Sequence, residues 1–181
     1  FVWTNKLGIN AKALTVTADV KTKTYGDVNP NLTYSVTSGS LVNSDTLSGS
    51  LATSATQYSN VGNYDVTSTL ANSNYAITFA GTNKLTIGQK ALTVTADAVS
   101  KTYGDVNPSL TYAITSGSIV NSDTLSGSLA TSATQYSNVG NYDVTSSLAN
   151  SNYDITFVGT NKLGINAKYL TVTEDVKKKT Y

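Results

Sequence analysis

Cysteine, histidine, methionine and arginine are all missing from this chain of 181 residues, and each absence closes off a kind of chemistry. Without Cys there are no disulfides and no thiolate metal sites, so the redox compartment is left open. Without His or Cys, acid–base or nucleophilic catalysis would fall to Asp, Tyr, Lys or Ser, and none of these stands among partners at a recognisable spacing. The expectation is a chain that is no enzyme and needs no cofactor. Charge is sparse, with 12 Lys against 11 acids and a formal net charge of +1. A nucleic-acid or membrane-surface partner would need a basic stripe, and phosphate recognition favours Arg; neither is present. No apolar run comes near the roughly 18 residues of a helical membrane span, and no signal peptide opens the sequence. Neither fact bears on segments outside this window.

What is present is a repeat. Lys23-Thr-Tyr-Gly-Asp-Val-Asn-Pro30 returns unchanged at residues 101–108, and Lys-Thr-Tyr comes back at residues 179–181, so that Tyr25, Tyr103 and Tyr181 are 78 residues apart. A fixed period of this kind marks a string of small domains. The boundaries it implies are the end of a preceding unit at 1–12, complete units at 13–90 and 91–168, and the start of a following unit at 169–181. A domain this small buries only about 60% of the surface its unfolded chain exposes, which leaves each unit a thin core. The junctions at residues 88–91 and 166–169 are short and carry no Gly/Ser run, so the units are expected to form a semi-rigid series.

Apolar and polar side chains alternate at period two in nearly every ordered stretch, which argues for half-buried strands. In the first unit these are expected at residues 13–18, 32–37, 46–53, 64–70, 75–79 and 84–87, with a Gly/Asn hairpin turn at 80–83 joining the last two. Leu14, Val16, Leu32, Tyr34 and Val36 take the inward face. The fold class is all-β: small β-sandwich modules of Ig-like proportions in tandem, or alternatively a β-grasp-like sheet with one short helix near residues 41–46.

The two units act as a substitution experiment, differing at 13 of 78 positions. Inward positions change conservatively, Val36 to Ile114 and Leu41 to Ile119, while outward ones change freely, Ala76 to Asp154, Thr69 to Ser147 and Thr86 to Gly164. A carboxylate turned inward would cost several kcal/mol, so Asp154 supports the assigned faces.

Three pieces, in order and at a fixed period, carry a resemblance: Leu14-Thr-Val-Thr-Ala-Asp19, Tyr25-Gly26-Asp27 followed by Pro30, and Tyr75-Ala-Ile-Thr-Phe79 with Lys84-Leu-Thr-Ile87. Together they resemble the MBG domain of the Tyr-Gly-X type, over both units and the flanking fragments. The resemblance implies a non-enzymatic β-domain repeated in tandem in large bacterial secreted and surface proteins similar to adhesins. It therefore implies an extracellular or cell-surface location, and it transfers no catalytic residues. One departure is Trp3, which stands where the other copies have Gly81 and Gly159.

Individual motifs each have a functional and a plain reading. Tyr25-Gly26-Asp27 is either a ligand-contact loop or a turn in which Gly26 supplies an unusual angle, Asp27 caps and Tyr25 plugs the core. Asp19, Asp27, Asp45 and Asp65 are too scattered for a calcium loop and read as solvated or turn-capping, which leaves no metal site. A Lys–Asn isopeptide bond would suit a cysteine-free stalk, but Lys23 and Lys84 fall at what look like exposed strand ends. Asn31-Leu-Thr33 fits a glycosylation pattern that Ser109 breaks in the second unit, and Glu174 is the lone Glu. Thr and Ser along outward faces suit a sugar-binding surface or an ordinary solvated strand. Three functions compete: a stalk or spacer in a bacterial adhesin or surface fibre, a self-assembling extracellular filament, and a repeat surface that binds host glycans. The partners expected are the neighbouring repeats of the same chain and other copies in a fibre.

Overall fold

A computed structural model of the chain describes residues 7–181, so that Trp3 lies outside the described residues. No helix occurs among them. The helix considered near residues 41–46 is replaced by a turn in which Asn43 and Ser44 hold φ of 54° and 57°, and the Asp45 N–H closes on the Val42 carbonyl at 2.9 Å. Two consecutive left-handed residues cannot continue a right-handed helix.

The first repeat forms β1 (Lys12–Ala18), β2 (Lys21–Thr24), β3 (Tyr34–Ser38), β4 (Leu51–Thr53), β5 (Gly62–Tyr64), β6 (Val66–Ser68), β7 (Tyr75–Ala80) and β8 (Leu85–Gly88). The second forms β9 (Lys90–Ala96), β10 (Val99–Thr102), β11 (Tyr112–Ser116), β12 (Leu129–Thr131), β13 (Gly140–Tyr142), β14 (Val144–Ser146), β15 (Tyr153–Val158) and β16 (Leu163–Asn166), in the same order. Two elements depart from the alternation pattern. The stretch expected as one strand at 64–70 is broken at Asp65 into β5 and β6, and β2 was not expected as a strand at all.

Each repeat folds its eight strands into three small sheets. In the first, β1 lies between β3, antiparallel, and β7, parallel; β8 lies between β2, parallel, and β5, antiparallel; β4 and β6 make an antiparallel ribbon. The second repeat has the same three, in orders β11-β9-β15, β10-β16-β13 and β12-β14. The turn expected at 80–83 is there, with Asn83 at φ 52°, but β7 and β8 are not hairpin partners. Between them the chain crosses from one sheet to the other against β6, where the Val66 N–H donates to the Gly81 carbonyl at 2.7 Å and a methyl group on Gly81 would overlap the Val66 carbonyl. Glycine serves there for close backbone approach, not for a hairpin.

By compactness the chain divides into two units. The first contains the repeat ending at Lys90 and also takes in Val120–Ser122 and Ser151–Asp154; the second holds Ala91–Ile119, Asp123–Asn150 and Ile155–Tyr181. In the first unit Leu14, Val16 and Tyr75 form a buried cluster, with Leu41, Leu47, Leu70, Ile77 and Phe79 packed around it. In the second, Leu163 and Ile165 of β16 pack with Ala133, Val99 and Tyr142. Each such aliphatic side chain contributes roughly 1.5–3 kcal/mol on burial. The outward assignment holds where it was tested by charge, since Ala76 and Asp154 are both exposed. Val36, assigned inward, is 36% exposed. It lies on the edge strand β3, whose register against β1 shifts between Thr15 and Val16, and the rim of a three-stranded sheet covers little.

Candidate functional site: the Tyr-Gly-Asp pole

The Tyr25-Gly26-Asp27 loop leaves β2 at the end of the β2/β8 ladder. The Tyr25 N–H extends that ladder to the Gly88 carbonyl at 2.9 Å, and the Asp27 N–H folds back on the Thr24 carbonyl at 3.1 Å. Gly26 takes φ 89°, a left-handed angle that an L side chain rarely adopts. Tyr25 is 1% exposed. The angle is the role assigned to Gly26 from sequence, whereas Tyr25 is buried against the Tyr153 ring, and its counterpart Tyr103 is 39% exposed. The turn itself is closed by the backbone of Asp27, through its N–H and, as follows, its carbonyl.

Lys23 is the organising side chain of this pole. Its Nζ donates to the carbonyls of Asp27 at 2.9 Å, Thr56 at 2.8 Å and Gln57 at 3.1 Å. The second repeat repeats the clamp: Lys101 Nζ reaches the carbonyls of Asp105, Thr134 and Gln135 at 3.0, 2.8 and 3.1 Å. Three ammonium protons meet three carbonyls each time. Gln57 and Gln135 answer from the facing loop, donating to the Gly26 and Gly104 carbonyls at 2.8 and 2.7 Å. Asn29 and Asn107 donate to the Ala55 and Ala133 carbonyls, both at 2.6 Å, while the Oδ1 of each is buried without a hydrogen-bond partner. Two loops remote in sequence are thus bolted together by one ammonium. Lys101 is only 7% exposed, so the reading of this position as an exposed strand end is corrected. Burial pushes the Lys23 ammonium below its usual value, with the Asp27 charge opposing. With its protons committed to carbonyls, the amine has no free lone pair for an isopeptide bond. A signal for its inward direction was present in the sequence: Lys21, two residues earlier on the same face of the strand, is replaced by the apolar Val99.

The four carboxylates weighed as calcium ligands have separate settings and share no hydrogen-bond partner. Asp19 accepts from the Thr33 and Ser35 hydroxyls at 2.6 and 2.8 Å, Asp45 from the Tyr75 hydroxyl at 2.9 Å, and Asp65 from the Asn83 N–H at 2.7 Å, while Asp27 is exposed in the loop. Among the described residues no three acidic side chains come together as a metal site. For Tyr75, the Val42 N–H acts to lower the phenol pKa, but burial and the Asp45 carboxylate together raise it. The Asp19 carboxyl is held below the usual aspartate value, first by the Thr33 hydroxyl, then by Ser35, with burial opposing and the Lys21 and Lys84 charges acting in the same direction as the hydroxyls. The sign follows: a carboxylate with a lowered folded pKa stabilises the fold above its unfolded value and loses that contribution as pH falls through the folded one. In an acid titration from about pH 5 to about pH 2, Asp19→Asn should flatten the decline in melting temperature of the first repeat. An unchanged slope would show that the two hydroxyls do not hold this carboxylate.

A cleft of about 630 Å³ also opens in the first unit between the start of β3 and the β4 ribbon, lined by Leu32, Tyr34, Leu47, Leu51 and Leu70 with the backbone of Gly49. It carries no ionisable group besides the Tyr34 phenol.

The geometry defines a class: a non-helical β-module, built twice, whose polar interior is a backbone-carbonyl clamp on a lysine. The sequence matches the MBG domain (YGX type) over residues 14–86 and again over 92–163, and the chain belongs to that family as two tandem copies. No curated protein matches the chain, and no solved structure does.

Proposed function

We propose that the chain is a run of structural repeats, a stalk or spacer in a bacterial extracellular adhesin or surface fibre, with no catalytic role and no cofactor. The supporting observation is the duplicated clamp. Although 13 of 78 positions differ, each repeat satisfies this lysine from its own two loops at distances that agree to within 0.1 Å. A module stabilised from within can be added in series or removed without remaking any site, which is what a spacer of adjustable length requires. The surface agrees with that role, being rich in Thr, Ser and Asn and poor in charge.

The test places zero, one or two repeats between a cell-surface anchor and a reporter epitope on a bacterium. Antibody access to the epitope should rise with each repeat added. Equal access at every length would overturn the spacer reading, and host-glycan binding by the repeats alone would replace it with a recognition surface.

A further inference from the structure

Two sheet edges border one opening in the first repeat. β3 ends the β3-β1-β7 sheet and β4 is one side of the β4/β6 ribbon, so each has an edge with no strand partner. Both border the cleft of about 630 Å³ described above, β3 through Tyr34 and β4 through Leu51. The ladders fix which way the backbone points. The Asp19 N–H is committed to the Thr33 carbonyl at 2.9 Å, and Ser35 stands opposite Thr17 on β1. In an antiparallel ladder, Leu32, Tyr34 and Val36 therefore turn their N–H and C=O groups away from β1. On the other side, the Ser50 carbonyl accepts from the Thr69 N–H at 3.0 Å and the Ser48 N–H donates to the Ala71 carbonyl at 2.9 Å, which leaves Gly49 and Leu51 directed away from β6.

Proteins ordinarily blunt an exposed edge with lysine, proline or an inward charge. β2, at the rim of the neighbouring sheet, carries Lys21, whereas β3 and β4 carry no charge and no proline. The opening belongs to the module, not to what lies before or after it. Leu110, Leu125, Leu129 and Leu148 are half-buried like Leu32, Leu47, Leu51 and Leu70 before them, and Gly127 is exposed like Gly49. Ser109 for Asn31 is the one change of side chain along the lining.

We propose that this cleft accepts an extended peptide segment of a partner protein, which adds a strand to β3, bonds across to β4 and seats apolar side chains on the leucines. Main-chain hydrogen bonds give such a contact its affinity, and the side chains at alternate positions give it specificity. The occupant follows from the two lips. A strand bonded to both must be unpaired along both of its own edges, and each of the sixteen strands of the chain already has a partner along at least one. A second folded copy is thereby set aside. Charge narrows the class further: apart from the Tyr34 phenol the lining has no ionisable group, so a charged side chain inserted there would lose its water and gain no counter-ion. The segment carries uncharged aliphatic residues at every second position and is about as long as the five residues of β3. None of this rests on the spacer reading, since display on a surface and peptide binding in solution are measured separately.

The probe is a capped peptide of about seven residues alternating threonine and leucine, titrated into the isotope-labelled 181-residue chain and followed by NMR. Two peptides should bind per chain, one to each repeat. The amides of Leu32, Tyr34, Val36, Gly49 and Leu51 should shift and exchange more slowly with solvent. The same peptide N-methylated at every second residue should bind about tenfold more weakly, the effect of one or two lost hydrogen bonds. Leu51→Lys, which places an ammonium on the β4 lip, should leave a single site, in the second repeat; circular dichroism melting confirms that this variant is folded. Absence of binding overturns the proposal. So does equal binding of the methylated peptide, which would make the cleft a plain apolar groove, and so does self-association of the chain through the same amides, which would make a second copy the occupant.

Discussion

Lys101→Met should lower the stability of the second repeat by roughly 3–5 kcal/mol, the sum expected when a buried ammonium with three hydrogen bonds is removed and its acceptors are stranded. Methionine fills nearly the same volume, so packing is largely preserved and the loss isolates the polar contribution. The carbonyls of Asp105, Thr134 and Gln135 then face an apolar thioether at a position only 7% exposed, where water enters poorly. A module of this size has on the order of 4–12 kcal/mol of stability in total, so the repeat should melt well below its parent. Lys101→Arg should not restore it, because a planar guanidinium cannot direct three protons at three carbonyls arranged around a point charge. The first repeat serves as the internal reference, and Lys23→Met there should have a smaller effect because Lys23 is more exposed. Calorimetry resolving two transitions measures this directly, and a Lys101→Met chain that melts like the parent would show the clamp to be decorative.

Gly159→Ala should destabilise the same repeat by about 3 kcal/mol or more, an overpacking effect at the upper end of its usual range. The added methyl would overlap the Val144 carbonyl, and the Val144 N–H is itself bonded to the Gly159 carbonyl at 2.8 Å, so neither strand can withdraw without breaking that bond. Against this, replacing Gly by Ala restricts the unfolded chain and contributes only about 0.4–1 kcal/mol in the other direction. The overlap wins. Gly164→Ala is the matched control: its Cβ would meet nothing closer than 3.6 Å, and the first repeat already carries Thr86 at that place. That variant should be neutral or slightly stabilised. If the two Ala variants melt alike, the crossing of the chain between its two sheets is looser than the geometry states.

Much of the module was legible beforehand. The 78-residue period, the strand character of most segments and the burial of Leu14 and Val16 follow from patterns a few residues long. The pairing of the strands was not legible. Leu14 lies beside Ile77 in a parallel ladder, and Lys21 beside Leu85, partnerships that no local alternation encodes. The hairpin expected at 80–83 failed for that reason: a Gly/Asn turn signals a change of direction, not which sheet the next strand joins. The Lys23 clamp was hidden by the rule that lysines face water, although Val99 in place of Lys21 already pointed that face inward.

The sequence by itself determined that this is a twice-built β-module of the Tyr-Gly type, because repetition, side-chain alternation and turn glycines are local properties of the chain. Only the tertiary structure decided that a lysine bolts two loops together and that Tyr25 is covered by the ring of Tyr153, far along the chain. Both depend on which residues meet across long separations, and burial is a property of what stands in front of a side chain, not of the side chain itself.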